Sequence, residues 1–212
     1  HVLLNNKKIP SSKLLKKLPC TPIHNRTFSF ANAAPEFRRK LLDRSIAISE
    51  EPFMTNWFAY YKALKQRNSL LKNNRISDIY AWNIKLSDYG NIITKSRETF
   101  FNQTLKHFKI ILSLINAVDV FEFLDHIEIE FFNGWSNQKT LLHTLEENID
   151  SDTRRKTTLH GPHKSDIKFF INGIDAKQVL SRGEQKFFSI LWSCAQNEVL
   201  KNVYDIDPIL II

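Results

Sequence analysis

Between residues 77 and 115 the apolar side chains Trp82, Leu86, Tyr89, Ile93, Phe100, Ile111 and Ile115 recur at alternating steps of four and three, with gaps. That spacing predicts one long helix with a single apolar seam, the kind that packs in an antiparallel helical pair or a short coiled coil. Gly90 inside it weakens the helix slightly. Two more helices precede it. Pro52 opens one whose Phe53, Trp57, Tyr60, Leu64 and Leu71 share a face, and Trp57 and Trp82 read as core rather than as platforms for stacked bases. Pro35-Glu36 opens the other, since proline loses no needed donor in the first turn and glutamate suits the positive helix end. Phe37, Leu41 and Leu42 form its apolar side, which leaves Arg38, Arg39, Lys40 and Arg44 available to solvent or a ligand.

The periodicity changes after residue 126. Ile127-Glu128-Ile129-Glu130-Phe131 alternates with period two, as a half-buried strand does. Gly134-Trp135 ends it, and residues 140–148 suit a short helix. Asn172-Gly173 between residues 167–171 and Ile174 is a strong hairpin signal. A helix follows over 182–200, and residues 208–212, with no polar position, predict a fully buried strand. At the other end, residues 2–9 suit a hairpin turning at Asn5-Asn6, followed by a Lys-rich helix over 13–18 and an extended stretch over 19–23.

Composition excludes several classes. The 212 residues are 42% hydrophobic and 25% charged, enough for a real core and unlike a disordered chain. No apolar run approaches the ~20 residues a membrane span needs, and no secretory leader opens the chain. Cys20 and Cys194 are too few for a disulfide framework, so a reducing cytoplasm is expected. Only five glycines are present, none close enough together to cradle a phosphate. A chain opening on His1 and stopping within an apolar run reads as an internal piece of a longer protein.

Charge is one-sided. Residues 1–44 hold ten basic groups and two acids, which equals the formal net charge of +8 for the whole chain. The remainder is balanced. Such asymmetry suits a polyanion binder, and it suits equally a solvated basic face with no partner.

One motif calls for more than structure. In Leu180-Ser181-Arg182-Gly183-Glu184-Gln185-Lys186, Ser181 and Glu184 have capping-box spacing. A capping box does not call for Gly183, and glycine in a first helical turn costs about 1 kcal/mol relative to alanine. The glycine is useful where something approaches the backbone. A helix N-terminus with a hydroxyl, free amides and no side chain at the contact is suited to phosphate.

This segment resembles the signature motif of ABC-type ATPases in the form found in the RecF family of bacterial DNA replication and repair proteins, usually L-S-R-G-Q. Arg182 matches that variant, and Glu184 stands where Gln is usual. Three more stretches resemble RecF motifs, in the right order: Pro35-Glu36-Phe37-Arg38-Arg39-Lys40-Leu41-Leu42-Asp43, Leu64-Lys65-Gln66-Arg67-Asn68, and Gly161-Pro162-His163-Lys164-Ser165-Asp166. The resemblance implies an α/β fold that is part of an ABC-type ATPase head with an inserted α-helical lid. Residues 1–34 would be the edge of the nucleotide-binding lobe, 35–126 the lid, and 127–212 the signature lobe returning to the central sheet. The phosphate loop would precede His1 and the Mg²⁺-binding acids would follow Ile212. Near residue 20, Cys20-Thr21-Pro22-Ile23-His24 lacks the Gln that related ATPases often place between lobes.

The implied function is ATP-dependent dimerisation and DNA binding in recombinational repair, with ATP, Mg²⁺, recombination mediator partners, a second copy of the chain and a link to the SOS response. Ser181, Arg182, Gly183 and Glu184 would contact the γ-phosphate of ATP held by another subunit, and Gly161, Pro162, His163, Lys164 and Asp166 would lie near the site. Lys16, Lys17, Arg38, Arg39, Lys40 and Arg44 are the DNA-binding candidates. The full-length protein is expected to be a weak DNA-dependent ATPase and this chain alone inactive. No metal site is expected: His160 and His163 flank Pro162 in a turn with no Cys or third His nearby. Two alternatives stand beside this reading, a nucleic-acid-binding helical module without a nucleotide role and a chromosome-maintenance ATPase head.

Overall fold

The computed structural model describes residues 2–4, 6–9, 14, 17–23, 30–115 and 122–211. The chain divides into two compact units. The first comprises residues 1–51, 99–130 and 167–212, and the second residues 52–98 and 131–166.

The first unit is built on rings. Helix α1 (Pro35–Ser49) starts at Pro35 and buries Leu42, Ile46, Ala47 and Ile48. Beyond residue 98, helix α3 (Tyr80–Ile115) buries Phe100, Phe101 and Phe108. Strand β4 (Ile127–Phe132) alternates half-buried and exposed positions, as its period-two sequence predicts. It lies beside β5 (Asp166–Ile171), which turns at Asn172-Gly173 into β6 (Ile174–Asp175). Both turn residues have positive φ, 50° and 76°, which a two-residue hairpin loop matching the strand twist requires. After a short α6 (Ala176–Val179) comes α7 (Arg182–Tyr204), whose Phe188 and Trp192 are buried. Phe169 of β5 meets Phe188 at 4.9 Å and Phe30 at 5.4 Å, and Phe108 of α3 lies 5.6 Å from Trp192. Edge-on and offset ring pairs of this kind add about 0.5–1.5 kcal/mol each beyond their buried area.

Strands β1 (Val2–Leu4) and β2 (Lys7–Ile9) form the expected antiparallel hairpin, with Asn6 at φ 60°. Leu18 donates to the Leu14 carbonyl at 2.8 Å, a helical hydrogen bond within the expected Lys-rich helix, half of whose residues lie outside the described ones. Strand β3 (Cys20–Pro22) pairs in parallel with β7 (Ile209–Ile211), and Thr21 donates to the Asn197 side chain at 2.6 Å. β7 corrects one expectation. Ile209, Leu210 and Ile211 are 51%, 43% and 52% exposed, not buried, because this sheet has only two strands among the described residues and neither face of β7 is covered.

The second unit is an antiparallel helical hairpin with a small cap. Helix α2 (Phe53–Lys72) and the first half of α3 are joined by Asn74 at φ 55° and a 3₁₀ turn at Ile76–Asp78. Arg67 bonds Asn83, while Tyr60 faces Gly90. Seven residues back on one helix is seven forward on the other, which only antiparallel packing gives. Leu86 and Ile93, two positions of the predicted seam, are fully buried. Helices α4 (Leu141–Glu147) and α5 (Ile149–Arg155) complete the unit. Thr140 caps α4 by accepting from the His143 amide at 3.2 Å.

Candidate functional site

The start of α7 is built by two reciprocal bonds. The Ser181 hydroxyl accepts from the Glu184 amide at 3.3 Å, and a Glu184 carboxylate oxygen accepts from the Ser181 amide at 2.7 Å. Glu in place of the usual Gln keeps the box closed. The amides of Arg182 and Gly183 have no acceptor among the described residues, as the first turn of any helix requires unless something outside it supplies one. A Cβ at Gly183 would meet only the Ser181 Oγ, at 4.0 Å. The protein itself therefore does not demand glycine here, and the space outside the turn is open. Ser181, Arg182 and Gly183 are exposed.

Behind this face the turn is anchored. Leu180 is buried, its carbonyl accepting from Gln185 Nε2 at 2.8 Å, and Gln185 Oε1 accepts from Asn32. Gln185 and Asn32 are residues to which the sequence assigned no role. Gln185 lies one helical turn beyond the exposed cap and faces inward, a placement readable from its spacing once the helix start is known. A fixed, outward-facing helix N-terminus with two free amides, a hydroxyl and two neighbouring cations, Arg182 and Lys186, suits one edge of a phosphate group. The chain supplies no glycine-rich loop to wrap the rest of a nucleotide.

The Gly-Pro-His motif belongs to the second unit and serves as its lock. Gly161 has φ 133° and its amide donates to the Gly134 carbonyl at 3.2 Å. His163 Nε2 lies 3.0 Å from the Thr158 carbonyl, which can only accept, so Nε2 carries the proton and Nδ1 accepts from the Tyr60 hydroxyl at 2.7 Å. Arg97 is buried and donates to the Pro162 carbonyl at 2.7 Å and to the Ser165 hydroxyl at 3.0 Å. Both nitrogens of His163 are thus engaged inside the protein. Lys164 is exposed and Asp166 half-buried at the start of β5. Among the described residues no group of three His, Cys, Asp or Glu could hold a metal ion.

The RecF-like stretch at 64–68 has a buried role that the sequence did not disclose. Arg67 is completely buried and donates to Asp152 at 2.6 Å, Thr158 at 2.7 Å, Asn83 at 2.7 Å and the Leu145 carbonyl at 3.3 Å. Burial draws its guanidinium below the ordinary arginine range, and the Asp152 charge opposes that shift. Asn68 accepts from the Thr158 amide at 2.8 Å.

The basic candidates divide. Arg38 is not on an exposed helix face: it is buried and donates to the carbonyls of Phe30, Ala31 and Ala33. One face of α1 turns inward at that position, and three carbonyls of the preceding loop take the guanidinium. Arg44 is half-buried and donates to the Cys20 carbonyl at 2.8 Å. Arg39 is half-buried. Lys40 is exposed and pairs with Glu36 at 2.8 Å; the lysine's hydrogen bond and charge hold the Glu36 carboxyl below its ordinary range. Lys17 is exposed, and Lys16 lies outside the described residues.

The architecture is mixed α/β, and solved RecF structures share it. The chain aligns over 97% of its length, TM-score 0.82 at 23% identity, with 57% of the chain in a structure of the recombination mediator protein RecF with ATP in the RecFOR pathway, and with TM-score 0.83 at 22% identity with the corresponding RecF–ATPγS structure. No family model matches. In sequence it is 32% identical over 198 residues to the DNA replication and repair protein RecF of Nitrosococcus oceani, covering 89% of this chain and 52% of that protein, and 32% identical over 204 residues to RecF of Hahella chejuensis, covering 95% and 54%. The chain spans about half the length of the curated relatives it matches, and over that span it is a RecF homologue.

Proposed function

We propose that this chain is the signature-bearing part of a RecF-like DNA replication and repair ATPase, and that α7 presents its N-terminus to the γ-phosphate of ATP held by a second subunit. The observation carrying this is the open cap: an exposed hydroxyl, two amides without acceptors and no side chain at Gly183. Bound ATP with Mg²⁺ would supply a phosphate whose charge the positive helix end and Arg182 neutralise. Ser181 would place the hydroxyl, Glu184 would hold Ser181 in position, and Gln185 would fix the turn to the body of its unit. Two heads facing each other could share two nucleotides, with the γ-phosphate deciding whether they stay closed. Lys17, Arg39, Lys40 and Arg44 remain for DNA, and recombination mediator proteins are the expected partners. Residues of the Gly-Pro-His motif act on this reading by keeping the helical unit rigid rather than by touching substrate.

Sedimentation of the complete protein with ATPγS, beside a nucleotide-binding titration, tests the proposal. Ser181→Arg should leave nucleotide affinity near normal and abolish ATPγS-dependent dimerisation. Normal dimerisation of that variant would reduce Ser181 to a helix cap.

A further inference from the structure

Helix α2 contains no Asp or Glu; its charged residues are Lys62, Lys65, Arg67 and Lys72. Arg67 is buried against Asp152, so the helix shows solvent three lysines, and no ion pair among the described residues holds any of them. Phe58, Tyr61, Lys62, Lys65, Ser69 and Lys72 recur at steps of three and four along one stripe, about 21 Å long.

The end of the stripe is aromatic. Phe58 is 59% exposed. Its ring meets Trp57 edge-on at 5.3 Å, and Trp57 lies 4.1 Å from Tyr61. Trp57 is half-buried, and its ring joins this surface cluster, which corrects its assignment to the core. Beside the rings is a depression of about 550 Å³ lined by Tyr61, Leu64, Lys65, Asn68, Ser69 and Lys72, with no carboxylate in its wall.

An uncompensated lysine row selects a polyanion. Exposed rings next to that row select a polyanion with accessible flat faces, and an unpaired nucleic acid strand has them while a duplex hides them in its stack. We propose that this stripe is a single-stranded DNA contact, with Phe58 as the stacking platform and Lys62, Lys65 and Lys72 on successive phosphates. The site rests on the repair function above only for the choice of DNA over RNA. Its length suits the smaller single-strand footprints, about four nucleotides.

Anisotropy titrations of the full chain with a labelled dT20 strand, an abasic strand of the same length and a polyglutamate competitor, each over a range of salt, test the site. Lys62→Gln/Lys65→Gln/Lys72→Gln should lower the magnitude of the dT20 salt slope by up to about 2, at ~0.7 per lost phosphate contact. Phe58→Ala should weaken dT20 binding fivefold or more, spare the abasic strand and leave the slope alone, while Phe58→Trp should keep wild-type affinity. An unchanged slope in the triple variant, or equal weakening of both strands by Phe58→Ala, overturns the proposal. Polyglutamate binding that is tighter than dT20 and lost with the same lysines assigns the stripe to an acidic protein instead. If the stripe variants are silent while Arg39→Gln/Lys40→Gln lowers the slope, this site falls and the repair function stands.

Discussion

Arg67 and Asp152, 85 positions apart, meet at 2.6 Å with their side chains 0% and 1% exposed. A buried pair adds little stability over a well-packed apolar pair, but stranding one charge typically costs about 3–5 kcal/mol. Urea denaturation should show Arg67→Met and Asp152→Asn each losing stability on that scale. The double variant Arg67→Met/Asp152→Asn should lose clearly less than the two effects added. Additive losses would mean that the two residues act separately.

The Tyr60 hydroxyl gives the second unit a pH signature. Burial raises its pKa well above the ordinary tyrosine range, against the lowering effect of the His163 backbone amide. The folded state therefore keeps a proton that the unfolded chain releases above about pH 10, so this stability is complete below that pH and falls as pH rises. At pH 7, Tyr60→Phe should cost about 1–2 kcal/mol by leaving His163 Nδ1 without its donor. By pH 11 the gap between variant and wild type should narrow by about 1.4 kcal/mol. Denaturant midpoints of both proteins at the two pH values check this, and a constant gap would show that Tyr60 ionises freely in the fold.

Two glycines with positive φ should respond very differently to alanine. At Gly134 (φ 99°) a Cβ would stand 2.1 Å from the Gly161 carbonyl oxygen, whereas at Gly173 (φ 76°) it would meet nothing within 4 Å. Gly173→Ala should cost about 1 kcal/mol, the intrinsic penalty of the left-handed conformation. Gly134→Ala adds a backbone collision to strain of ~1–3 kcal/mol and should fall at or beyond the top of that range. Equal melting temperatures for the two variants would contradict this.

Arg38 and Lys40 separate structure from surface charge. Arg38→Gln removes a buried guanidinium from three loop carbonyls and should lower the melting temperature by several degrees, as losing about 2 kcal/mol does in a domain of this size. Lys40→Gln should leave melting unchanged and, if Lys40 touches DNA, lower the salt slope by up to about 0.9 for duplex DNA. The reverse pattern would return Arg38 to the DNA surface.

Legibility followed periodicity and local chemistry. The long α3 seam, the Asn172-Gly173 hairpin and the Ser181–Glu184 box depend on neighbours a few residues away, so a single sequence contains them. Arg38 and Arg67 stand in stretches whose family resemblance was visible, but their burial depends on partners brought in by the fold: loop carbonyls for one, Asp152 and Thr158 for the other. Trp57 reads as a position within the apolar face, yet its ring is only half-buried, because spacing cannot tell a covered face from one left to solvent. The apolar run at 208–212 failed for the same reason, since hydrophobicity alone does not supply the neighbouring strands that bury it.

The central claim is that the start of α7 receives a phosphate from another subunit, and Gly183→Asp tests it most directly. An acidic side chain in the first turn of a helix is favourable by ~0.3–1 kcal/mol, and position 183 has room for it. The account predicts a complete protein with unchanged or slightly raised melting temperature, near-normal ATPγS affinity and no ATPγS-dependent dimer by sedimentation, because the new carboxylate faces the γ-phosphate. A stable Gly183→Asp protein that dimerises with ATPγS as the wild type does would contradict it.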